Sequence, residues 1–594
     1  MAVDQSPMNK LITEHIDIWT SAVKTRSTSG RGSSKKLELY GVKKLRELIL
    51  ELAVRGKLVP QDPNDEPASV LLERIAAEKT QLVKEKKIKK QKALPEVTEQ
   101  EAPFNVPKGW EWTRLGNLSS DIHYGYTASA KPNSEGVRLL RITDIQNDKV
   151  NWGTVPACDI TEEKAKSYLL ENDDILIART GGTIGKSYLV ENIDLQAVFA
   201  SYLIRVKRVQ AVYAPFTKVF LGSQLYWKQL IENSAGTGQP NVNATALKQL
   251  LFIVPPFNQQ KRIVAKVDEL MALCDQLEQQ TEASIEAHQV LVTTLLDTLT
   301  NSADADELMQ NWERISEHFD TLFTTEESID QLKQTILQLA VMGKLVSQDP
   351  NDEPASELLK RIAEEKAQLV KEKKIKKQKA LPPISEDEKP FELPSGWEWC
   401  RVDDVVALKH GYAFKSSYFL ESSGPYVLTT PGNFYETGGF RDRGDRTKYY
   451  DGPLEVEFIF EANDLIIPLT EQAPGLLGSA AFIPEDGRTY LHNQRLAKLT
   501  PYHDAVRKDY ISWYFNSPYL RSELARTCTG TTVRHSSPTK VQVTLFALPP
   551  TNEQKNIVER IDSLLSICQQ LKARLNESQA TQLHLTDAIV EQAV

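Results

Sequence analysis

The sequence contains a long internal repeat, which limits the chain to architectures built from two similar modules. Residues 83–95 read VKEKKIKKQKALP, and the same letters return at residues 370–382, an offset of 287 (370 minus 83). The Gly-Trp-Glu-Trp of residues 109–112 recurs at residues 396–399 with the same offset. Solenoid repeats have periods of about 20–50 residues, far shorter than this one. The sequence therefore predicts two copies of a whole module.

The two copies share their flanks and differ in their interiors. After each Gly-Trp-Glu-Trp, short apolar runs alternate with Gly-rich turns, which predicts a mixed, strand-containing domain. The copies realign at Pro255-Pro256 and Pro549-Pro550, where the offset is 294 (549 minus 255). One frame with two interiors predicts one task performed on two targets. The predicted division is a helical repeat with a basic linker, a first variable domain, a central long helix with the second helical repeat, a second variable domain and a C-terminal long helix, at residues 1–106, 107–256, 257–393, 394–550 and 551–594.

Each variable region is followed by a heptad pattern typical of a coiled coil. Apolar residues alternate spacings of four and three over residues 263–277 and 557–575. Because neither helix buries its stripe alone, we expect the two to pair, and two equivalent units favour a pseudo-twofold arrangement. The predicted fold is α+β: two mixed α/β domains separated by a long antiparallel coiled-coil helix pair in a tandem pseudo-twofold repeat. The apolar seam is expected to resume at Leu291, Leu295, Leu585 and Ile589.

Cysteines and apolar runs indicate the cellular setting. The five cysteines form no CxxC pair and no Cys/His cluster, which argues against zinc and disulfides and fits a reducing cytosol. The N-terminus has no apolar core of signal-peptide type, and no run approaches the ~18 apolar residues of a membrane span. We expect a cytoplasmic protein without membrane or metal.

The net charge of −9 is unevenly distributed. Residues 107–256 carry 16 Lys and Arg against 14 Asp and Glu, and residues 394–550 carry 16 against 18, so the excess acid lies in the helical remainder. A nearly neutral domain still binds nucleic acid if its cations share one face. The charge therefore leaves nucleic-acid binding by the variable domains open.

Three basic runs have two interpretations each. Residues 84–92 and their repeat at 371–379 place six lysines around one glutamate. A solvated helix end or linker is the favoured interpretation, and a contact with DNA phosphates is the alternative. The first copy also carries an extra segment at residues 24–36, KTRSTSGRGSSKK, whose composition favours a flexible loop over a phosphate contact.

Two motifs that suggest enzymes are incomplete. Residues 180–187 (TGGTIGKS) look like a phosphate-binding P-loop but are one residue short, since Thr180 occupies the place of the first glycine. Residues 254–257 (VPPF) are similar to an amino-methyltransferase motif, yet Val254 and its counterpart Leu548 have no side-chain group that hydrogen-bonds an amine. Nucleotide binding and self-contained methyltransferase activity are both disfavoured.

The order of these motifs, occurring twice, resembles the specificity subunit of type I restriction-modification enzymes. The resemblance covers nearly the whole chain and rests on residues 107–112 and 394–399, which open the variable regions, and on Pro-Pro followed by Gln-Lys-Arg-Ile-Val or Gln-Lys-Asn-Ile-Val, which closes them. It implies that each variable region is a target recognition domain for one half of a bipartite double-stranded DNA site. The long helical stretch before each Gly-Trp-Glu-Trp departs from the family pattern and implies a subfamily with an added repeat.

The resemblance also implies partners and chemistry. The helices are expected to hold two methyltransferase subunits, joined by restriction and translocase subunits in a phage-defence complex. S-adenosylmethionine, ATP and Mg are expected on those partners, so this chain is expected to bind no cofactor and to be non-catalytic. The alternative is a coiled-coil scaffold without sequence-specific DNA binding, although a scaffold has no need of two divergent domains in one frame.

The recognition residues are sought among Arg, Lys, Asn, Gln, aromatic and hydroxyl side chains on loops that reach the DNA grooves. An ordinary surface or turn role is the alternative for each. Residues 236–243 and 530–537 are favoured because both precede the closing Pro-Pro and differ between the copies. The candidates in the first domain are Tyr124, Tyr126, Arg141, Arg179, Thr180, Thr183, Gln239, Asn241 and Asn243. Those in the second are Tyr412, Lys415, Arg441, Arg443, Arg446, Gln472, Arg534, His535 and Ser536.

Overall fold

The chain folds into two compact units. The first contains the N-terminal residues, residues 34–283 and residues 579–594, and the second contains residues 284–578. Each unit therefore includes part of both long helices. The computed structural model describes residues 7–27, 35–132, 135–232, 241–303, 305–375, 381–471, 473, 475–528 and 534–594.

The N-terminal part of the first unit is helical. The predicted apolar face of the helix before Gly56 is buried, with no member more than 7% exposed, which confirms the periodicity. Gly56 has a φ of 69°, a left-handed conformation that glycine adopts without strain at a helix end. The buried face consists of Leu45, Leu48, Ile49 and Leu52. The helices are α1 (Pro7–Glu14), α2 (Ile16–Ser21), α3 (Tyr40–Val54) and α4 (Ala68–Lys84).

The extra segment of the first copy is flanked by ordered strands. β1 (Lys24–Ser27) and β2 (Lys35–Glu38) pair antiparallel, with Thr25 opposite Leu37. The expectation of a flexible loop is therefore wrong for these flanks, because interstrand backbone hydrogen bonds order residues whose composition alone favours a loop. Residues 28–34 lie outside the described residues.

The first variable domain contains short strands and helices, as predicted. Its strands are β3 (Glu111–Arg114), β4 (Ser119–Tyr124), β5 (Arg138–Leu140), β6 (Ile145–Gln146), β7 (Lys149–Val150), β8 (Ile175–Ala178), β9 (Ser187–Leu189), β10 (Ala197–Phe199), β11 (Leu203–Arg208) and β12 (Leu251–Val254). Its helices are α5 (Glu162–Ala165), α6 (Ala214–Phe220), α7 (Gln224–Glu232) and α8 (Ala244–Gln249). The main sheet is antiparallel in the order β4–β11–β8–β9, and β5 pairs parallel with β10.

A two-stranded pair, which we call the clasp, joins the beginning and the end of this domain. β3 and β12 run antiparallel, with Trp112 opposite Ile253. The Arg114 side chain is only 7% exposed and donates hydrogen bonds to the carbonyls of Pro95 and Gln249 at 2.9 and 3.0 Å. The motifs that open and close the variable region in the sequence therefore form one structural element.

The second unit repeats this architecture after the long helix α9 (Phe257–Asn301). Its helices are α10 (Ala305–Glu317), α11 (Phe319–Leu322), α12 (Glu326–Val341), α13 (Ala355–Lys371), α14 (Val402–Val405), α15 (Lys508–Phe515), α16 (Pro518–Arg526), α17 (Pro538–Gln542) and, up to residue 578, α18 (Thr551–Ala593). Its strands are β13 (Glu398–Arg401), β14 (Val406–His410), β15 (Phe419–Leu420), β16 (Tyr426–Leu428), β17 (Tyr449–Tyr450), β18 (Leu465–Pro468), β19 (Thr470–Glu471), β20 (Ala481–Phe482), β21 (Tyr490–Leu491), β22 (Leu496–Pro501), β23 (Arg534–His535) and β24 (Leu545–Leu548).

The second variable domain has an equivalent main sheet and an equivalent clasp. The sheet order is β14–β22–β18–β20, and the clasp is the antiparallel pair of β13 and β24. Arg401 occupies the place of Arg114: it is 7% exposed and donates to the Val543 carbonyl at 2.8 Å. The common frame predicted from the sequence is thus present in both units.

Both long helices are present, but their later buried faces are shifted by one residue from the predicted seam. α9 has 45 residues and α18 has 43. Leu291 and Leu585 are 49% and 43% exposed, whereas Val292 and Thr586 are 1% and 0% exposed. The predicted seam is therefore wrong at Leu291 and Leu585, and Leu295 and Ile589 are only half-buried.

The shift follows from packing against the helical repeats. Val292 belongs to the same core cluster as Ile329 of α12. Next to Thr586, Asp587 accepts a hydrogen bond from the Tyr40 hydroxyl of α3 at 2.8 Å. These neighbours, and not a continued heptad, set the buried face. The antiparallel coiled coil of the two long helices and the five-part division of the chain stay predictions.

The lysine runs begin where helices end. α4 ends at Lys84 and α13 at Lys371, and Lys86 and Lys373 have φ values of 57° and 58°. The lysines of residues 84–92 are exposed, as expected for a solvated linker. A phosphate contact stays a prediction, and residues 376–380 lie outside the described residues.

The structure also bears on membrane spans and on the cysteines. Within the described ranges, no helix combines the length and apolar character needed to cross a bilayer. Cys158, Cys274, Cys400, Cys528 and Cys568 are free thiols.

A buried ion pair fixes the main sheet of the first unit and gives a test of the fold. Arg205 and Asp174 are each 4% exposed and lie 3.2 Å apart, and burial raises the pKa of Asp174. Arg205→Met leaves this carboxyl buried without its cation and is expected to cost about 3–5 kcal/mol of unfolding free energy. Lys207→Met removes a pair with Glu171 that is 36% and 64% exposed, and is expected to cost under about 1 kcal/mol. Urea unfolding of the full chain measures both, and equal shifts would contradict this role of Arg205.

Candidate nucleic-acid interface

One edge of the main sheet in the first unit carries exposed aromatic and basic side chains. β4 ends at Tyr124, β8 ends before Arg179, and β11 begins after Tyr202, so these residues meet at the same edge of an antiparallel sheet. The Arg179 N–H donates to the Tyr202 carbonyl at 3.1 Å. The guanidinium carbon of Arg179 lies 4.7 Å from the centre of the Tyr124 ring, a cation–π contact. Tyr124 is 38% exposed and Tyr202 is 64% exposed, so both rings are open to solvent.

The segment before α8 lies against the same edge. Asn241 forms a backbone bridge with Thr180. The Tyr124 hydroxyl accepts a hydrogen bond from the Ala244 N–H at 3.2 Å, and the Asn243 side chain caps α8. The structure therefore brings together five of the predicted residues: Tyr124, Arg179, Thr180, Asn241 and Asn243.

The loop that resembles a P-loop joins two antiparallel strands. The short turn Gly181–Thr183 connects β8 to β9, whereas a P-loop leads from a strand into a helix. The rejection of nucleotide binding agrees with this connection. Gly185 closes the loop with a φ of 81°, and a Cβ built there would lie 2.7 Å from the Trp227 ring. A Cβ built on Gly182 would lie in open space, with no described atom within 4 Å.

The other candidates of the first domain have internal partners. Arg141 donates to the Asp144 carboxylate through Nη2 at 2.7 Å and Nε at 3.0 Å, so its guanidinium is already paired. Tyr126 packs against a neighbouring tyrosine with ring centres 5.5 Å apart. The Thr183 hydroxyl donates to a backbone carbonyl of its own turn at 3.3 Å. These contacts favour structural roles, and Gln239 lies outside the described residues.

The second unit builds the same edge from different side chains. The Leu469 N–H donates to the Arg495 carbonyl at 2.8 Å, in the position of the hydrogen bond made by Arg179. His535 pairs with Thr470 through the backbone, and its Nδ1 lies 3.3 Å from the Thr470 hydroxyl. The backbone pairing is thus kept while the side chains change. The equivalent residues, first unit before second, are Arg179 and Leu469, Tyr202 and Arg495, and Asn241 and His535.

Residues on either side of His535 are partly engaged. The Arg534 side chain is 45% exposed and lies 3.0 Å from a carboxylate oxygen of Glu471. Ser536 is 7% exposed, and its hydroxyl shares a hydrogen bond with Thr527 at 2.9 Å. Ser536 is therefore buried in the domain. His535 and Arg534 are the exposed members of this group.

Three further candidates have differing environments. Arg441 pairs with Glu436 at 2.7 Å. Tyr412 is 41% exposed and its ring lies 5.1 Å from that of Phe458. Gln472 lies outside the described residues.

The basic candidates Lys415, Arg443 and Arg446 form no ion pair in the part of the chain that the structure describes. Arg443 lines a cleft of about 330 Å³. Lys448 and Arg495 line the same cleft, although sequence reasoning did not select them.

Sequence reasoning missed Tyr202, Arg495 and Lys448. Tyr202 and Arg495 stand directly before β11 and β22, next to apolar runs whose pattern predicts only a strand. A usable signal was present, because a large polar or aromatic residue just before a buried antiparallel strand lies at the sheet edge. Lys448 has no such signal, since its position depends on the pairing of β16 with β17.

The geometry defines a tandem protein in which two modules of one frame each present a variable edge. The model of the family described as "Type I restriction modification DNA specificity domain" matches residues 107–287 and 394–578. A crystal structure of the HsdS subunit from Thermoanaerobacter tengcongensis aligns over 83% of this chain and 98% of that chain, with 18% identity and a TM-score of 0.41.

Two relatives from Escherichia coli match nearly the whole chain. The type I restriction enzyme EcoAI specificity subunit is 43% identical over 613 aligned residues, which cover 99% of this chain and 100% of that protein. The EcoEI specificity subunit is 40% identical over 609 aligned residues, with coverage of 99% and 100%. The chain therefore belongs to the family of type I restriction-modification specificity subunits, as its motifs indicated.

The Gly185 turn that shapes the edge gives a second test. Gly185→Ala places a Cβ against Trp227 and Leu230 at a positive φ, and is expected to destabilise the first unit by about 1–3 kcal/mol. Gly182→Ala in the same loop meets open space and is expected to change stability by less than about 0.5 kcal/mol. Thermal melting of the two variants compares them directly. A Gly185→Ala protein as stable as Gly182→Ala would show that the turn is not rigid.

Proposed function

We propose that this chain is the DNA-recognition subunit of a type I restriction-modification complex and that each variable domain reads one half of a bipartite double-stranded target. The observation that carries this proposal is the pair of sheet edges, which share backbone pairing and differ in side chains. Arg, Asn, His and Tyr side chains supply the hydrogen bonds and stacking by which proteins contact bases. Two edges with different chemistry suit two different half-sites.

The reading residues are assigned to the exposed and half-buried members of each edge. In the first domain these are Tyr124, Arg179, Tyr202 and Asn241. In the second they are Arg534 and His535. Arg141 and Ser536, which have internal partners, are assigned to the support of the fold.

The helical parts are proposed to hold the partner subunits. Residues 52–95 and 339–382 are nearly identical, and two like surfaces suit two methyltransferase subunits. Restriction and translocase subunits would complete the complex in the cytoplasm. S-adenosylmethionine, ATP and Mg would bind to those partners, and this chain would contribute recognition without catalysis.

Mapping methylated adenines in cells with and without the gene tests the proposal. We expect one bipartite motif to lose its methylation when the gene is absent. A scaffold without DNA recognition would leave no sequence motif that depends on the gene. Methylation directed by the chain alone, without partner subunits, would instead indicate a self-contained methyltransferase.

The two domains are expected to read independently. Replacing Arg534 and His535 with alanine should weaken discrimination at the second half-site by ~1–3 kcal/mol per base-reading contact and leave the first half-site unchanged. Binding to duplexes with single changes in either half-site measures this. Arg526→Ala is the control, since the Arg526 side chain is exposed and pairs with Glu523. Equal weakening on every sequence would mean that the two residues contact phosphate or only support the fold.

A further inference from the structure

The cleft in the second variable domain has an uncompensated positive charge. Arg443, Lys448 and Arg495 line it, and none of its described lining residues is acidic. None of the three cations forms an ion pair within the described ranges. Phe414 and Phe419 add an apolar wall. Such a cleft suits an anionic ligand that also has an apolar body.

Two arginines of this domain, Arg441 and Arg488, are by contrast neutralised by carboxylates. Arg441 pairs with Glu436 at 2.7 Å. Arg488 lies 2.8 Å from Asp442 and 2.5 Å from Asp486, which raises the pKa of the Arg488 guanidinium. Unpaired cations cost little where water solvates them, but their convergence on one cleft creates a local positive potential.

The cleft opens at the sheet edge already described. Arg495 stands directly before β22, and its carbonyl accepts the hydrogen bond from Leu469 at that edge. Asn493, which also lines the cleft, is bridged to Tyr412 at the end of the neighbouring strand. A duplex read at this edge carries one negative charge per ~1.7 Å of its axis. A duplex bound at this edge would bring its phosphates close to the cleft.

We propose that this cleft holds the phosphodiester backbone of the DNA at the second half-site, with Arg443, Lys448 and Arg495 facing phosphates. The proposal rests on the DNA-recognition function proposed above. Two parts of the domain would then have different roles. The cleft supplies affinity for DNA that is independent of sequence, and His535 reads bases. Arg443, which the sequence suggested as a base-reading residue, is thereby reassigned to contact with the DNA phosphates.

The test is the salt dependence of DNA binding by the full-length chain in its restriction-modification complex. Each phosphate contact contributes about 0.9 to the slope of log K against log salt concentration. The triple variant Arg443→Gln, Lys448→Gln, Arg495→Gln is expected to lower this slope by about two to three. Its affinity should fall by the same factor on the target and on duplexes with altered half-sites. The methylated motif should keep its bases.

Three controls show whether the change in slope comes from phosphate contacts in the cleft. Arg488→Gln removes a cation that is already paired and should leave the slope unchanged. The variant Arg443→Lys, Arg495→Lys keeps the charge and should keep most of the slope, whereas a variant that merely misfolds would lose it. Titration of the DNA-free chain with inorganic phosphate or ATP should give no saturable binding, and binding lost in the triple variant would assign the cleft to a free anion instead.

An unchanged slope in the triple variant, or altered base preference at the second half-site, would overturn the proposal. The same experiment distinguishes failure of the cleft assignment from failure of the proposed DNA-recognition function. If the unmodified complex bound no sequence specifically, DNA recognition itself would fail. If it bound its target and only the slope were insensitive to the triple variant, only the cleft assignment would fail.

Discussion

The clasp is the constraint on which the rest of each module depends. β3 pairs with β12 in the first unit and β13 with β24 in the second, so the chain leaves each variable domain beside the place where it entered. Arg114 and Arg401 hold the clasp from inside, since each is buried and donates to the backbone on both sides. A buried guanidinium with these acceptors tolerates little change, because each lost bond leaves a polar group unsatisfied. The flanks of the two copies are accordingly alike.

The sequence of the variable domain between the two clasp strands differs between the two copies. The edge of the main sheet keeps the same backbone pairing in both modules, while the side chains at that edge differ. Asn241 and His535 occupy one such position, with the same strand-like pairing to Thr180 and Thr470. Arg179 and Leu469 occupy another. In the function proposed here, recognition is assigned to positions where the two modules differ and the shared backbone pairing does not.

The sequence predicted what is local or repeated and missed what depends on long-range pairing. The face of Leu45 and Leu52 and the long helices follow from periodicity, and the duplicated frame follows from identity between copies. The paired strands β1 and β2, the shifted seam at Val292 and the edge position of Arg495 each depend on a distant partner, which composition does not reveal. The ion pair of Arg141 was predictable from the sequence, because Asp144 lies only three residues away. That Tyr124, Arg179 and Asn241 lie at one edge follows only from the order of the strands in the sheet, which the sequence does not reveal.

We expect the clasp to make each variable domain an independent reader of one half-site within a common frame. Replacing residues 394–550 with a second copy of residues 107–256 tests it most directly, because both segments begin and end at clasp motifs. Methylome sequencing of cells that carry this chimera should show a motif in which the first half-site occurs at both ends. A motif that keeps the original second half-site, or no motif at all from a chimera that folds and assembles with its partners, would show that the variable domains are not independent readers.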